Sequence, residues 1–239
     1  MRRPILVCAL AAGALLPPPA RDARLQQEPD RLEHLGRCRR RLGSAAARLD
    51  QIVYSRDARP DRYPPHSDVY RAALAGGAPA RLTRDQRSLS PLWGPTGKVV
   101  FVRLVDAKRR KYAPKNELYL MGADGSGVRR LTRTRVGQLL QGLTPTAWSA
   151  DGRRLLAEFG GQDTSYAETV NPATGAHRPV VRPAEDGFVG TDLTADGSTI
   201  LGATGGYEPQ TRHDVVAIPY GGGAMTVLAR NALEPDWNR

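Results

Sequence analysis

Two of the four histidines stand where a metal site is chemically possible. His66 lies two residues before Asp68, and His213 lies directly before Asp214, in each case just ahead of a strand-like segment. Imidazole nitrogens and carboxylate oxygens both bind divalent metals, so these residues are the candidate cluster of a metal-dependent lyase. Histidines beside a loop are more often solvated, and we assign no metal ligand to them.

Common enzyme signatures are absent from the sequence. There is no Gly-x-Ser-x-Gly nucleophile elbow, and there is no His-Glu-x-x-His or paired-cysteine zinc motif. Cys8 lies in a segment that we expect to be removed, so Cys38 has no partner for an internal disulfide. The sequence therefore predicts a protein that is not an enzyme, with no catalytic residue, metal or cofactor.

Three aspartates lie in predicted turns. Asp124, Asp151 and Asp196 each directly precede a glycine. The short aspartate side chain accepts hydrogen bonds from nearby backbone groups, and glycine adopts the positive φ that a tight turn needs. We therefore interpret these carboxylates as turn residues and not as catalytic acids.

The segment 103–115 is strongly basic. Against a single acid, Asp106, it carries Arg103, Lys108, Arg109, Arg110, Lys111 and Lys115. Such a loop could contact an anionic partner or lipid headgroups, or it could simply be a solvated loop that keeps a sheet edge soluble.

The elements that would position these groups appear as an internal repeat. Segments 90–102, 146–157 and 191–202 share a tryptophan or leucine, a turn ending in glycine, and an apolar run. One position of the repeat, which we call the tryptophan column, is occupied by Trp93, Trp148, Leu193 and Trp237, and these residues are 55, 45 and 44 positions apart. Such periods fit one four-stranded propeller blade per repeat. We interpret the tryptophans as core between blades and not as ligand-stacking platforms.

The repeat also resembles a known family. A Trp-Ser-x-Asp-Gly turn, an apolar strand and then Glu-Leu-Tyr-Leu-Met-x-Ala-Asp-Gly-Ser-Gly-x-Arg-Arg-Leu-Thr is similar to the PD40 (WD40-like) repeat of TolB-like β-propellers. The likeness spans about residues 51–239 and is strongest over 91–132. It implies an all-β, TolB-like β-propeller with about four visible four-stranded blades, which could be part of a six-bladed form.

Ring closure has two possible arrangements. The first unit begins at its second strand, 51–55, and the chain ends on a spare tryptophan strand, 233–238. If these two strands pair, a ring of four blades closes and two sheet edges are protected. Because TolB-like propellers usually have six blades, the alternative is an incomplete ring, with a homo-oligomer as one way to complete it.

The connections sort into two faces. Tight turns lie at one end of the blades, whereas the long loops 56–67, 103–115, 160–165 and 204–213 lie at the other end. Function tends to be carried by loops on a rigid scaffold, so we expect the long-loop end to be the recognition surface.

The resemblance implies a binding scaffold, because TolB-like proteins dock other envelope proteins. Three alternatives remain: a metal-dependent lyase, a gate of a prolyl-oligopeptidase-like hydrolase, and a truncated remnant of a longer TolB-like protein. Loss of a measured activity on replacing His66 and His213 would indicate the enzyme, and failure to fold would indicate the remnant.

The amino terminus predicts export. Arg2 and Arg3 precede an apolar run, 5–16, and a small residue at Ala20, which is typical of a secretory signal over residues 1–20. Residues 21–49 are an arginine-rich segment of uncertain structure, and 50–239 form the propeller. We expect a secreted or periplasmic protein without an integral membrane segment after signal removal.

The basic net charge does not indicate a nucleic-acid partner. Of the net charge of +11, residues 1–49 contribute +6, so the remaining 190 residues carry only +5. Nucleic-acid binders usually cluster basic residues with interleaved aromatics or carry a known motif, and neither occurs here. We expect an envelope or secreted protein as the partner.

Overall fold

The computed structural model describes residues 50–106, 113–161, 164–181, 188–205, 212–233 and 235. These residues belong to a compact unit, Arg48–Arg239. The predicted leader, 1–20, and the arginine-rich segment, 21–49, lie outside the described residues. No helix within the described ranges is long and apolar enough to cross a bilayer.

The described residues form fifteen strands. They are β1 (Gln51–Asp57), β2 (Ser67–Ala73), β3 (Ala80–Arg81), β4 (Ser88–Trp93), β5 (Lys98–Val105), β6 (Lys115–Gly122), β7 (Arg129–Arg130), β8 (Leu140–Trp148), β9 (Leu155–Gly161), β10 (Ser165–Val170), β11 (His177–Pro179), β12 (Val189–Leu193), β13 (Thr199–Ala203), β14 (Asp214–Pro219) and β15 (Thr226–Arg230).

The strands are arranged as antiparallel propeller blades. Blade two is β4–β7, blade three is β8–β11 and blade four is β12–β15, each a meander in chain order. Blade one has only three described strands, β1–β3. Among the described strands, blades two and three share one parallel strand pairing, between Asn116 and Gly142. The predicted all-β propeller is therefore confirmed, and three of its described blades have four strands.

The sheets are not joined into a closed ring by the described residues. Blade one makes no contact with blade four among the described strands. In β1, Ile52 is 46% exposed, whereas Val99, at the same place in β5, is fully buried. Near the end of the chain, Thr191 on β12 donates its hydroxyl to the Pro235 carbonyl at 3.2 Å. Trp237 and the rest of the predicted closing strand lie outside the described residues.

The core lies between the blades, and the described residues of the tryptophan column pack there, as the sequence predicted. Trp148 is 8% exposed and packs with Val100 and Leu131 of blade two and Val170 of blade three. Leu193, which replaces tryptophan in the next repeat, is 1% exposed and packs between blades three and four. Trp93 is half-buried against the cluster around Phe101. Apolar burial between adjacent sheets is the main stabilising term of such a fold.

Arginines join neighbouring blades at the end that carries the tight turns. Each donates to a backbone carbonyl of the following blade: Arg71 to Ala123, Arg129 to Pro172, Arg154 to Gly197 and Arg178 to Gly221, at 2.7–3.1 Å. Three of these pairs are 43 residues apart, close to the repeat period. These guanidinium groups therefore stabilise the packing of adjacent blades.

Candidate functional site

The long loops and the blade-to-blade connections share one end of the blades. The Leu104 N–H, at the end of β5, donates to the Arg87 carbonyl in the β3–β4 connection at 2.8 Å. The Lys115 ammonium, at the start of β6, donates to the Thr134 carbonyl in the β7–β8 connection at 3.0 Å. We call this end the long-loop face, and the opposite end, with the β4–β5 type and β6–β7 type turns, the turn face.

Asp68 organises the long-loop face of blade one. Its Oδ1 accepts the Thr83 hydroxyl at 2.9 Å and the backbone N–H groups of Asp85 and Gln86 at 3.0 and 3.1 Å. Its Oδ2 accepts the Arg81 guanidinium. Burial by itself raises the pKa of Asp68, but the hydrogen bonds from Arg81, Gln86 and Thr83 hold that pKa below its usual value.

Glu117 repeats this arrangement in blade two and is fully buried. Its Oε2 accepts the Thr132 hydroxyl at 2.7 Å, and its Oε1 accepts the N–H and the hydroxyl of Thr134, both at 2.9 Å. The same Oε1 is 3.0 Å from Arg130 and 3.1 Å from Lys115. Two cations and three hydrogen bonds thus compensate one buried charge.

We call these two networks the carboxylate brackets. They explain the Glu-Leu-Tyr and Arg-Leu-Thr segments of the repeat, because the acid on the third strand and the Thr on the fourth bind each other. In blade three the equivalent positions are Tyr166 and Val181, which cannot form the bracket. The brackets are structural, and they shape the loops of blades one and two. In blade four, Asp214 partly repeats them, because it accepts the Asn231 N–H at 3.1 Å and lies 3.3 Å from Arg212.

Blade three instead has an ion pair across β10 and β11. His177 Nδ1 is 2.6 Å from Glu168 Oε2. The hydrogen bond to Glu168 raises the pKa of His177 above its ordinary value of 6.5, against the opposing effect of burial. The folded state therefore holds the proton more tightly than the unfolded chain does.

This pair should make stability depend on pH. Its stabilisation is complete below about pH 6.5 and is lost as the pH rises through the folded-state pKa of His177. We expect the difference in unfolding free energy between wild type and His177→Gln to be largest near about pH 6 and to shrink towards about pH 8. Urea unfolding at both pH values measures it. A difference that grows with pH would contradict the assignment.

The predicted basic loop is only partly described. Arg103 is 2.6 Å from Asp85 and lies 4.5 Å from the ring centroid of Tyr119, and Lys115 belongs to the Glu117 bracket. These two cations of the predicted set are therefore engaged within the fold. The other four, residues 108–111, lie outside the described residues.

The structure does not bring His66 and His213 together. They precede strands of blade one and blade four, which make no contact among the described strands. His66 Nδ1 is 3.4 Å from the Gln86 side chain, and His213 Nδ1 is 3.0 Å from the Thr204 carbonyl. The described ranges contain no group of three or more His, Cys, Asp or Glu residues placed to hold a metal. The two histidines therefore do not form the candidate lyase cluster in this structure.

The turn aspartates have the roles that the sequence predicted. Asp151 accepts the Arg153 N–H and the Ser149 hydroxyl, and Asp196 accepts the Thr194 hydroxyl and the Ser198 N–H. These hydrogen bonds, led by that from Thr194, lower the pKa of Asp196 to about 2. A carboxylate held ionised in this way is a poor general acid near neutral pH.

A cleft on the turn face was not anticipated from the sequence. It has a volume of about 480 Å³ and lies between blades two and three. Its walls include Trp148 and three cations, Lys98, Arg129 and Arg153. Arg129 already donates to the Pro172 carbonyl at 2.9 Å. No local motif marks the cleft, because its walls come from turns of two different repeats.

Comparisons with known proteins identify the fold. TolB from Acinetobacter baumannii aligns with 15% identity and a TM-score of 0.51, over 76% of this chain and 41% of its own. A protein assigned as TolB from Agrobacterium tumefaciens aligns with 14% identity and a TM-score of 0.52, over 75% and 62%. An oligogalacturonate lyase from Vibrio parahaemolyticus aligns with 16% identity and a TM-score of 0.53, over 76% and 51%.

These likenesses concern architecture. No family model matches the sequence, and a search of curated proteins finds no match. The chain spans 41–62% of the length of the three structures named. Its fold is that of a TolB-like β-propeller, as the repeat predicted, and the same fold occurs in TolB and in an oligogalacturonate lyase.

Proposed function

We propose that this protein is a non-catalytic extracytoplasmic scaffold that docks an envelope or secreted protein through its long-loop face. The observation that carries the proposal is that the carboxylates of blades one and two bind groups of the fold itself. Asp68 and Glu117 are committed to buried brackets that hold the loop bases, so these acids rigidify the surface instead of facing a substrate. A rigid base with long connections suits recognition.

The proposed location rests on the predicted leader and on the resemblance to TolB-like proteins. If the leader is cleaved as proposed, the exported protein begins at Arg21. Expression of the full chain in a bacterium, fractionation and intact-mass measurement test this point. Uncleaved protein confined to the cytoplasm would contradict it.

The lysines allow a direct test of the docking face. The sequence has only four: Lys108 and Lys111 fall between β5 and β6 in chain order, whereas exposed Lys98 lies on the turn face. We expect secreted or periplasmic proteins of the source organism to slow acetylation of Lys108 and Lys111 and to leave Lys98 unchanged. Mass spectrometry of the acetylated peptides measures each rate, and Lys98 is the internal control.

The enzyme alternatives predict a different outcome. A lyase or hydrolase accessory should turn over polygalacturonate with a divalent metal, or a peptide substrate in the presence of a hydrolase. Turnover that is lost in His66→Ala and His213→Ala variants would overturn the scaffold proposal. Protection at Lys98 alone would move the docking site to the turn face.

A further inference from the structure

The arginines of blades one and two differ in whether they bind other groups of the fold. Seven of them on or beside the long-loop face are exposed, and none forms an ion pair with another described residue. They are Arg56, Arg59, Arg62, Arg84, Arg87, Arg133 and Arg135. We call this set the arginine surface. Four arginines of the turn face, in contrast, join blades through backbone carbonyls.

The acids of the same region do not offset this charge at the surface. Asp68 and Glu117 are buried in their brackets, and Asp85 is 2.6 Å from Arg103. Asp57 accepts the backbone N–H groups of Arg59 and His66. Asp61 and Asp106 are the exposed acids of the described part of the long-loop face in blades one and two. The fold thus turns carboxylates inward and leaves guanidinium groups outward.

Two of these arginines hold equivalent positions in the repeat. Arg84 directly follows Thr83 and Arg133 directly follows Thr132, the hydroxyls that bind the bracket acids. The brackets therefore fix the backbone from which both side chains project. Blade three has no bracket at the matching place. In blade four, exposed Arg212 and Arg230 pair with Asp214, so the arginine surface belongs to blades one and two.

From this geometry we propose that the arginine surface binds an acidic segment of the partner protein. The proposal rests on the proposed function and names the partner's chemistry. Guanidinium groups pair with carboxylates through two parallel hydrogen bonds, which lysine cannot match. The surface is therefore complementary to a run of Asp and Glu residues.

Apolar side chains on the same face favour a protein over other polyanions. Tyr63 is 68% exposed in the β1–β2 loop, and Leu139 is 47% exposed in the β7–β8 connection. Tyrosine and arginine are enriched at the energetic centres of protein interfaces. An acidic segment with interspersed leucine would use both features, whereas a nucleic-acid strand or a lipid headgroup layer would use mainly the charge.

The test compares two matched double variants of the full chain. Arg84→Gln with Arg133→Gln removes two charges from the arginine surface. Lys98→Gln with Arg153→Gln removes two charges from equivalent repeat positions on the turn face, both exposed and both lining the cleft. The probe is a fluorescein-labelled peptide of Glu-Glu-Leu repeats, and fluorescence anisotropy measures its Kd.

We expect the arginine pair to weaken peptide binding about tenfold and the turn-face pair to change it less than about twofold. Raising the salt from about 50 to about 200 mM should weaken wild-type binding, and a Gln-Gln-Leu peptide should not bind. An equal effect of both pairs would show that net charge alone binds the peptide, and it would overturn the proposal.

Two other polyanions complete the test. An oligonucleotide or phosphatidylglycerol vesicles that bind while the peptide does not would assign the arginine surface to a different class of partner, and would overturn this proposal. A partner without acidic segments could still slow acetylation of Lys108 and Lys111. That result would support docking at the long-loop face and would overturn the proposal that the arginine surface binds an acidic segment. The two proposals therefore fail separately.

Discussion

Replacement of Glu117 by alanine should lower the free energy of unfolding by about 3 to 5 kcal/mol. The change removes the buried carboxylate that pairs with both Lys115 and Arg130. It also leaves the hydroxyls of Thr132 and Thr134 without the acceptor that they have in the folded protein. Removing one partner of a buried charge network costs more than the network contributes, because the remaining charges stay desolvated.

Urea unfolding followed by circular dichroism measures this loss, and thermal unfolding should show a midpoint lower by about 6 to 20 °C. Glu117→Gln retains an acceptor oxygen and should lose less. Asp61→Ala removes an exposed acid from the same face and should leave the midpoint nearly unchanged. A Glu117→Ala variant as stable as Asp61→Ala would mean that the bracket does not form. Wild type that fails to unfold cooperatively would favour the truncated remnant.

Replacement of Gly175 by alanine should destabilise the protein by about 3 kcal/mol or more. Gly175 lies in the β10–β11 turn with φ of +77°, and a Cβ there would collide with the Leu131 carbonyl of blade two. Two costs add. The left-handed conformation strains any residue with a Cβ, and the collision pushes blade three away from blade two.

A second glycine separates these costs. Gly127 lies in the β6–β7 turn with φ of +63°, and a Cβ there would meet nothing within 4 Å. Gly127→Ala should therefore cost only the conformational part, about 1 kcal/mol. The difference between the two variants in urea unfolding measures how closely blades two and three approach at the turn face. If both variants lose the same amount, the collision at Leu131 is relieved by a small shift of the turn.

Both predictions bear on recognition. The bracket at Glu117 holds the backbone that carries Arg133, and the contact at Gly175 keeps blade three against blade two. A scaffold offers a defined surface only if its blades keep their spacing. We therefore expect variants at Glu117 to weaken binding of the acidic peptide together with stability, whereas the arginine pair should weaken binding alone.

Much of the fold could be predicted because it is encoded in short segments. The turn glycines, the apolar second strands and the tryptophan column each lie within about a dozen residues, and hydrophobic period and turn chemistry specify them locally. Leu193 illustrates this point: its place in the column predicted a buried position, and the residue is 1% exposed.

The candidate site was less predictable because its charges interact across strands. The sequence placed Lys115 in a basic loop, but in the fold it meets Glu117 and the Thr134 carbonyl. His66 and His213 looked similar in sequence, yet their blades make no contact among the described strands. The turn-face cleft has walls from two repeats, so no single motif could have indicated it.

The sequence by itself determined the class of structure: an all-β repeat, its blade period, the glycine turns and the residues that pack between sheets. Only the tertiary structure decided which charges are neutralised and which face outward. The reason is physical. Backbone preferences and apolar periodicity act over neighbouring residues, whereas the environment of Asp68 or Glu117 depends on a threonine 15 residues away and on the register of two strands.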